Sequence, residues 1–120
     1  MEQAVVITSD GRKSIEEFEV GQSFDLIRKT VGGYFQVVGL DKLGADLWLN
    51  EEGKLDGLPQ NPIGTALWVD EYGYTDVIVG NIIITGGADE NGDTLGLSLE
   101  QVAKFMNYDK QLWSIQHIIT

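Results

Sequence analysis

Cysteine is absent from these 120 residues, which removes disulfides, thiolate metal ligands and thiol nucleophiles together. Histidine occurs once, at His117, and no Gly-x-Ser-x-Gly elbow accompanies it, so a Ser-His-Asp hydrolase is not expected. No apolar run is long enough to span a bilayer. Met1-Glu2-Gln3-Ala4 has no basic start, so no export signal is expected and a cytoplasmic location is the default. Positive charge is scarce: eight Lys and Arg stand against nineteen Asp and Glu, a net charge of −11. That excess disfavours direct binding to nucleic acid or to an anionic membrane. Two readings of the acidity remain: a solubility device, or a face that competes with nucleic acid for a basic partner protein.

What is present suits one α+β domain over residues 1–120, with roughly two thirds of the unfolded surface buried. Residues 3–8 and 13–20 read as two strands of a hairpin, the second irregular, turning at Ser9-Asp10-Gly11. Ser23 is expected to cap a helix to Lys29 or Thr30, with Phe24, Ile27 and Val31 on one face and Gly32-Gly33 ending it. Strands follow at 34–38 and 45–49, joined by a turn at 41–44. Pro62 opens a short helix over Ile63, Ala66 and Leu67 with Asn61 as its cap. Glu71–Tyr74 reads as a turn. Residues 76–85 read as one β run whose Gly80-Asn81 centre marks a bulge or a close backbone approach. Gly86–Asp93 is expected to be a mobile acidic loop. Ser98 and Gln101 form a capping box before a helix with Leu99, Val102, Ala103 and Met106 on one face. Leu112–Ile119 is a last strand or an extended arm. The expected fold is a mostly antiparallel sheet with two or three short helices packed on it. Its core should hold Phe24, Ile27, Val37, Leu47, Ile82, Ile84, Val102 and Met106.

Catalytic and metal chemistry find little footing. Glu16-Glu17, Glu51-Glu52, Asp70-Glu71 and Asp89-Glu90 are adjacent pairs, which a strand points to opposite faces. Asp89-x-Asn91-x-Asp93 with Glu100 imitates calcium-loop spacing, but Thr94 stands where the sharp turn needs glycine. Gly86-Gly87 is followed by acids, which repel phosphate. No cofactor or metal is expected, and neither is an enzyme. The most distinctive stretch is Asn50–Pro62, where two Gly and two Pro fix a backbone carrying polar side chains. The candidate binding residues are therefore Asn50, Glu51, Glu52, Lys54, Asp56, Pro59 and Asn61, with Tyr34 and Trp48 as aromatic anchors. The competing reading is that Asn50 and Asn61 hold the loop by local hydrogen bonds and the tryptophans fill the core.

Val31-Gly32-Gly33-Tyr34-Phe35, Asn50-Glu51-Glu52-Gly53-Lys54-Leu55-x-Gly57-Leu58-Pro59-x-Asn61, Val77–Asn81 and Leu97–Gln101 occur in this order. Together they resemble the family filed as domain of unknown function 3846, over roughly residues 24–106. Members of that family occur in phages, plasmids and bacteria, so the resemblance implies a mobile-element setting. It implies no activity and transfers no catalytic residue. The sequence departs from it at Trp48, Trp68, the Gly86–Asp93 loop and the tail beyond Asn107. The function expected on these grounds is a small acidic binding protein of a phage or mobile element. It would inhibit a basic host protein, in defence or in nucleic-acid binding, by stoichiometric capture. The alternative is a protein that sequesters a small nucleotide at the Asn50–Asn61 loop, with Lys54, Arg28 and Lys29 as its cations.

Overall fold

The strongest β-forming run of the sequence, Ile82-Ile83-Ile84-Thr85, forms the centre of the sheet. A computed structural model describes residues 1–108. Its strands are β1 (Glu2–Ile7), β2 (Lys13–Phe18), β3 (Phe35–Leu40), β4 (Ala45–Asn50) and β5 (Ile82–Gly86). The helices are α1 (Ser23–Val31), α2 (Pro62–Tyr72) and α3 (Leu99–Met106). The strands form one sheet in the order β2-β1-β5-β4-β3, antiparallel throughout. The α+β expectation and its antiparallel sheet describe this architecture.

Alternation along each strand divides the core in two. Ile82 and Ile84 point with Val5, Ile7 and Leu47 toward Ile63 and Leu67 of α2 and Val102 and Phe105 of α3. Ile83 points the other way, with Ala4 and Trp48, toward Ile27 and Val31 of α1. The central strand is thus covered on both faces, which is why it reads as an unbroken apolar run. Ile82, Ile83 and Ile84 are each fully buried. Each contributes about 1.5–3 kcal/mol relative to an exposed side chain.

The helix ends follow local chemistry in two of three cases. Asn61 caps α2 by accepting from the Gly64 N–H at 2.9 Å, and Pro62 occupies the first turn. Ser98 and Gln101 complete a reciprocal capping box on α3. The α1 start differs from expectation. Gln22 takes the cap position with no side-chain bond, and Ser23 is a buried first helical residue. Gly32, at φ 83°, closes α1 with the left-handed turn that glycine adopts without strain.

Several boundaries also differ. The second strand stops at Phe18, which pairs with Glu2 at the start of β1 and buries its ring under α1. Helix α2 runs on to Tyr72, past Asp70, so the expected 71–74 turn begins only at Gly73. Residues 76–81 join no strand, apart from a bridge from Val79 to Gln60, and turn at Gly80, so the expected 76–85 strand forms only in its second half. Phe24 and Val37, expected in the core, are 49% and 45% exposed, and Met106 is half-buried. Val37 belongs to an edge strand, and Phe24 to the first turn of α1, where neither is covered from outside. The acidic loop is organised: the Asp89 carboxylate accepts from the N–H groups of Asn91 and Asp93, each at 2.9 Å, and Ala88 bridges Thr94. The expected tail strand at 112–119, and His117, lie outside the described residues.

Candidate functional site

The Asn50–Asn61 loop is built on the two asparagines that bound it. Asn50 ends β4, where its amide donates to the Val31 carbonyl at 3.1 Å and its oxygen accepts from the Glu52 N–H at 2.8 Å. It thereby occupies one of the orphan carbonyls at the end of α1 and starts the loop's turn. Asn61 is fully buried. Its amide donates to the Ile7 and Gly80 carbonyls at 3.1 and 2.9 Å while its oxygen caps α2. One side chain so joins β1, the 78–80 segment and α2. Between them the loop coils on itself, with Asp56 N–H to Glu52 O at 2.9 Å and Leu58 N–H to Gly53 O at 2.9 Å. It then runs against the chain before β5, with Gly80 N–H to Pro59 O at 2.7 Å and Asn61 N–H to Ile78 O at 2.8 Å. Gly80 sits at φ 79°, and a Cβ there would lie 2.8 Å from Leu58 Cδ1. Close approach, the second of the two readings offered for Gly80-Asn81, is what the backbone uses.

The expected binding residues therefore separate. Asn50, Asn61 and Trp48 are buried, whereas Tyr34, Glu51, Glu52, Lys54, Asp56 and Pro59 are exposed. Trp48 is no surface anchor: its indole N–H donates to Thr85 Oγ1 at 2.9 Å, and its ring meets Phe35 edge-on at 5.4 Å beneath α1. Among the described residues no buried side-chain nitrogen or oxygen lacks a partner, so the asparagine amides have no spare groups for a ligand.

Of the expected binding residues, Glu51, Lys54 and the buried Asn50 line a groove of about 240 Å³ beside β3, and Tyr34, Trp48, Glu52, Asp56, Pro59 and Asn61 do not. Val38, Leu49, Trp68, Ile78 and Val79 give it an apolar floor, and Gln36, Glu51, Lys54, Leu55, Asp76 and Val77 form its rim. Lys54 pairs with Asp76 across the rim. The hydrogen bond from Lys54, and then that from the Val77 N–H, hold the Asp76 carboxyl below the usual carboxylate range. Beyond the groove the Tyr72 ring lies tilted against Trp68, ring centroids 4.4 Å apart, and its hydroxyl donates to the Gly39 carbonyl. Desolvation, then the charges of Asp41, Glu71 and Asp46, raise the Tyr72 phenol pKa. Burial, then Asp41, raises that of the Asp46 carboxyl. The β3 margin therefore lies in negative potential at this end. Among the described residues no three His, Asp or Glu converge as a metal cluster, and no helix is long and apolar enough to cross a membrane.

The sequence model of the family described as Domain of unknown function (DUF3846) matches residues 1–110. The chain belongs to that family. Comparison with curated proteins and with solved structures gave no match. The DUF3846 match takes in the β1–β2 hairpin, which the quoted motifs leave out. In this member of DUF3846 the Asn50–Asn61 motif is first of all a folding device, since its asparagines and glycines hold the loop rather than face outward. Sequence reasoning missed the groove's Val38, Leu49, Asp76 and Val77, which come from three separate segments. Trp68 and Tyr72 come together beside the groove because α2 runs on to Tyr72, where the sequence alone suggests a turn.

Proposed function

We propose that this member of DUF3846 is a non-catalytic binding protein whose partner is a protein with a basic surface. What carries this reading is the charge around the β3 groove. Glu51 and Asp76 stand on its rim and Glu52 and Asp56 are exposed on the same loop as Glu51, while Lys54 is engaged by Asp76 and the Lys42 ammonium donates to the Asp70 carbonyl at 3.0 Å. The field left over is negative, as the overall charge of −11 requires. In the same reading the protein works in the cytoplasm of a cell carrying a phage or mobile element, and inhibits a host defence or nucleic-acid-binding protein by occupying its basic face. Nucleotide trapping has less support. Asn50 and Asn61 are committed inside the fold, and Arg28 and Lys29 sit on α1, outside the groove lining that contains Lys54.

Immobilised protein challenged with host lysate at low salt should retain a basic protein, identified by mass spectrometry. Its association rate should fall steeply with salt, because exposed charges are screened over about 8–10 Å near physiological strength. Reversal of Glu51, Glu52 and Asp56 to Lys should slow association more than it alters dissociation. A nucleotide that raises the melting temperature by several degrees at micromolar concentration would overturn this reading in favour of the ligand-trapping one.

A further inference from the structure

Strands β2 and β3 are the two edges of the sheet, and only one of them is guarded. Edge strands with free peptide groups invite pairing by other chains unless charge, proline, a bulge or a cover blocks it. Strand β2 reads Lys-Ser-Ile-Glu-Glu-Phe, with three charges. Strand β3 reads Phe-Gln-Val-Val-Gly-Leu, with no charge and no proline.

The register fixes which β3 groups face outward. The Tyr34 carbonyl accepts from the Glu51 N–H at 2.9 Å, so residues of that parity, Gln36, Val38 and Leu40, turn their peptide groups to β4. Phe35, Val37 and Gly39 turn theirs away from it. The Tyr72 hydroxyl on the Gly39 carbonyl agrees with this parity and closes that end of the edge. Among the described residues no loop or side-chain group bonds the outward N–H or C=O of Phe35 and Val37. Gln36 and Val38 line the groove on one face, and Val37, 45% exposed, stands on the other.

We propose that β3 is an acceptor strand: an extended segment of a basic partner protein pairs with its outer edge. That segment carries Lys or Arg opposite Glu51 at one end and the Asp41–Glu71 pair at the other. It places an apolar residue over Val38 and Trp68. Main-chain bonds supply affinity in this mode, and alternate side chains supply selection. A second copy of this chain is the wrong occupant, because it would set one acidic margin against another at −11 each. This deepens the basic-partner reading and rests on it.

The test uses the full chain, nitrogen-15 labelled, and a synthetic octapeptide alternating Lys with Val, observed by NMR. The peptide should shift the Phe35 and Val37 amides and slow their exchange, while a Glu–Val counterpart should not. Methylating alternate peptide nitrogens should weaken binding by about tenfold or more, because it removes strand pairing without touching the protein. Val37→Pro should have the same effect, since an edge strand tolerates proline where its N–H faces outward. Should that variant not fold, the methylated peptide still decides. Equal binding of the methylated peptide, or shifts centred on α1, would overturn the proposal. So would protection of both amides in the free monomer, or their protection by concentration-dependent self-association. If a lysate partner binds with steep salt dependence yet ignores the methylated competitor and Val37→Pro alike, the basic-partner reading stands and the acceptor strand does not.

Discussion

Replacing Asn61 with Ala should be among the most damaging single changes to this fold, although the side chain contains no apolar group beyond one methylene. Three bonds disappear together: the cap on α2 and the donors to the Ile7 and Gly80 carbonyls. A lost Asn cap costs about 1 kcal/mol. Each buried carbonyl left without its donor adds about 1–3 kcal/mol. The expected total is about 3–7 kcal/mol, a large share of the roughly 5–15 kcal/mol that holds a domain folded. Urea unfolding followed by circular dichroism should show the midpoint fall at unchanged slope. Asn61→Asp separates the contributions, because it keeps the cap acceptor while removing both donors and burying a carboxylate. It should be no more stable than the Ala variant. A loss under about 1 kcal/mol for Ala, or recovery of stability by Asp, would refute the claim that Asn61 ties three segments together.

Two further perturbations probe other positions. Burial raises the Asp46 pKa in the folded state, so its ionisation opposes folding: the penalty is full above the raised value, absent below the unfolded one, and grows as pH rises between them. Asp46→Asn should therefore raise the urea midpoint at neutral pH and change little in acid; a lower midpoint at neutral pH would contradict this. Gly80→Ala should cost more than Gly57→Ala, because both sit at positive φ but only Gly80 has an atom, Leu58 Cδ1, within 2.8 Å of the added carbon. Strain alone is worth about 1–2 kcal/mol at Gly57, and equal losses at the two sites would remove the argument for close packing at Gly80.

The parts of the fold that the sequence announces are those set by local chemistry. Gly32 after Val31, Asn61 before Pro62, and Ser98 three residues before Gln101 each act within one helical turn, and each is found as expected. The alternating direction of Ile82, Ile83 and Ile84 is not separable from simple apolarity, because a central strand covered on both faces shows no period. Val37 and Phe24 were misplaced for a related reason. Hydrophobic pattern says that a residue can be buried, but position at the sheet edge decides whether anything covers it. The groove was least legible of all. Its floor joins β3, β4, α2 and the segment before β5, so no single stretch of sequence carries its signature.

The same arrangement bears on the proposal that a loop rich in exposed acid serves recognition. Carboxylates on a freely moving loop lose conformational freedom when a partner binds, and that loss offsets much of their attraction. Here Glu51 and Glu52 follow directly from Asn50, whose amide is fixed to the end of α1, and Glu51 itself donates its N–H to Tyr34 beside β3. Asp76 is fixed by Lys54 and by its own bond to the Val77 N–H at 2.7 Å. In the proposed reading the buried asparagines act through position, holding Glu51 and Glu52 beside the β3 edge before a partner arrives. Loosening Asn50 should for that reason weaken partner binding, although the Asn50 amide is itself bonded within the fold. Asn50→Ala tests this if association is measured beside stability at a temperature where the variant remains folded. A variant that is folded, destabilised and unchanged in association would show that the acids act without being held in place.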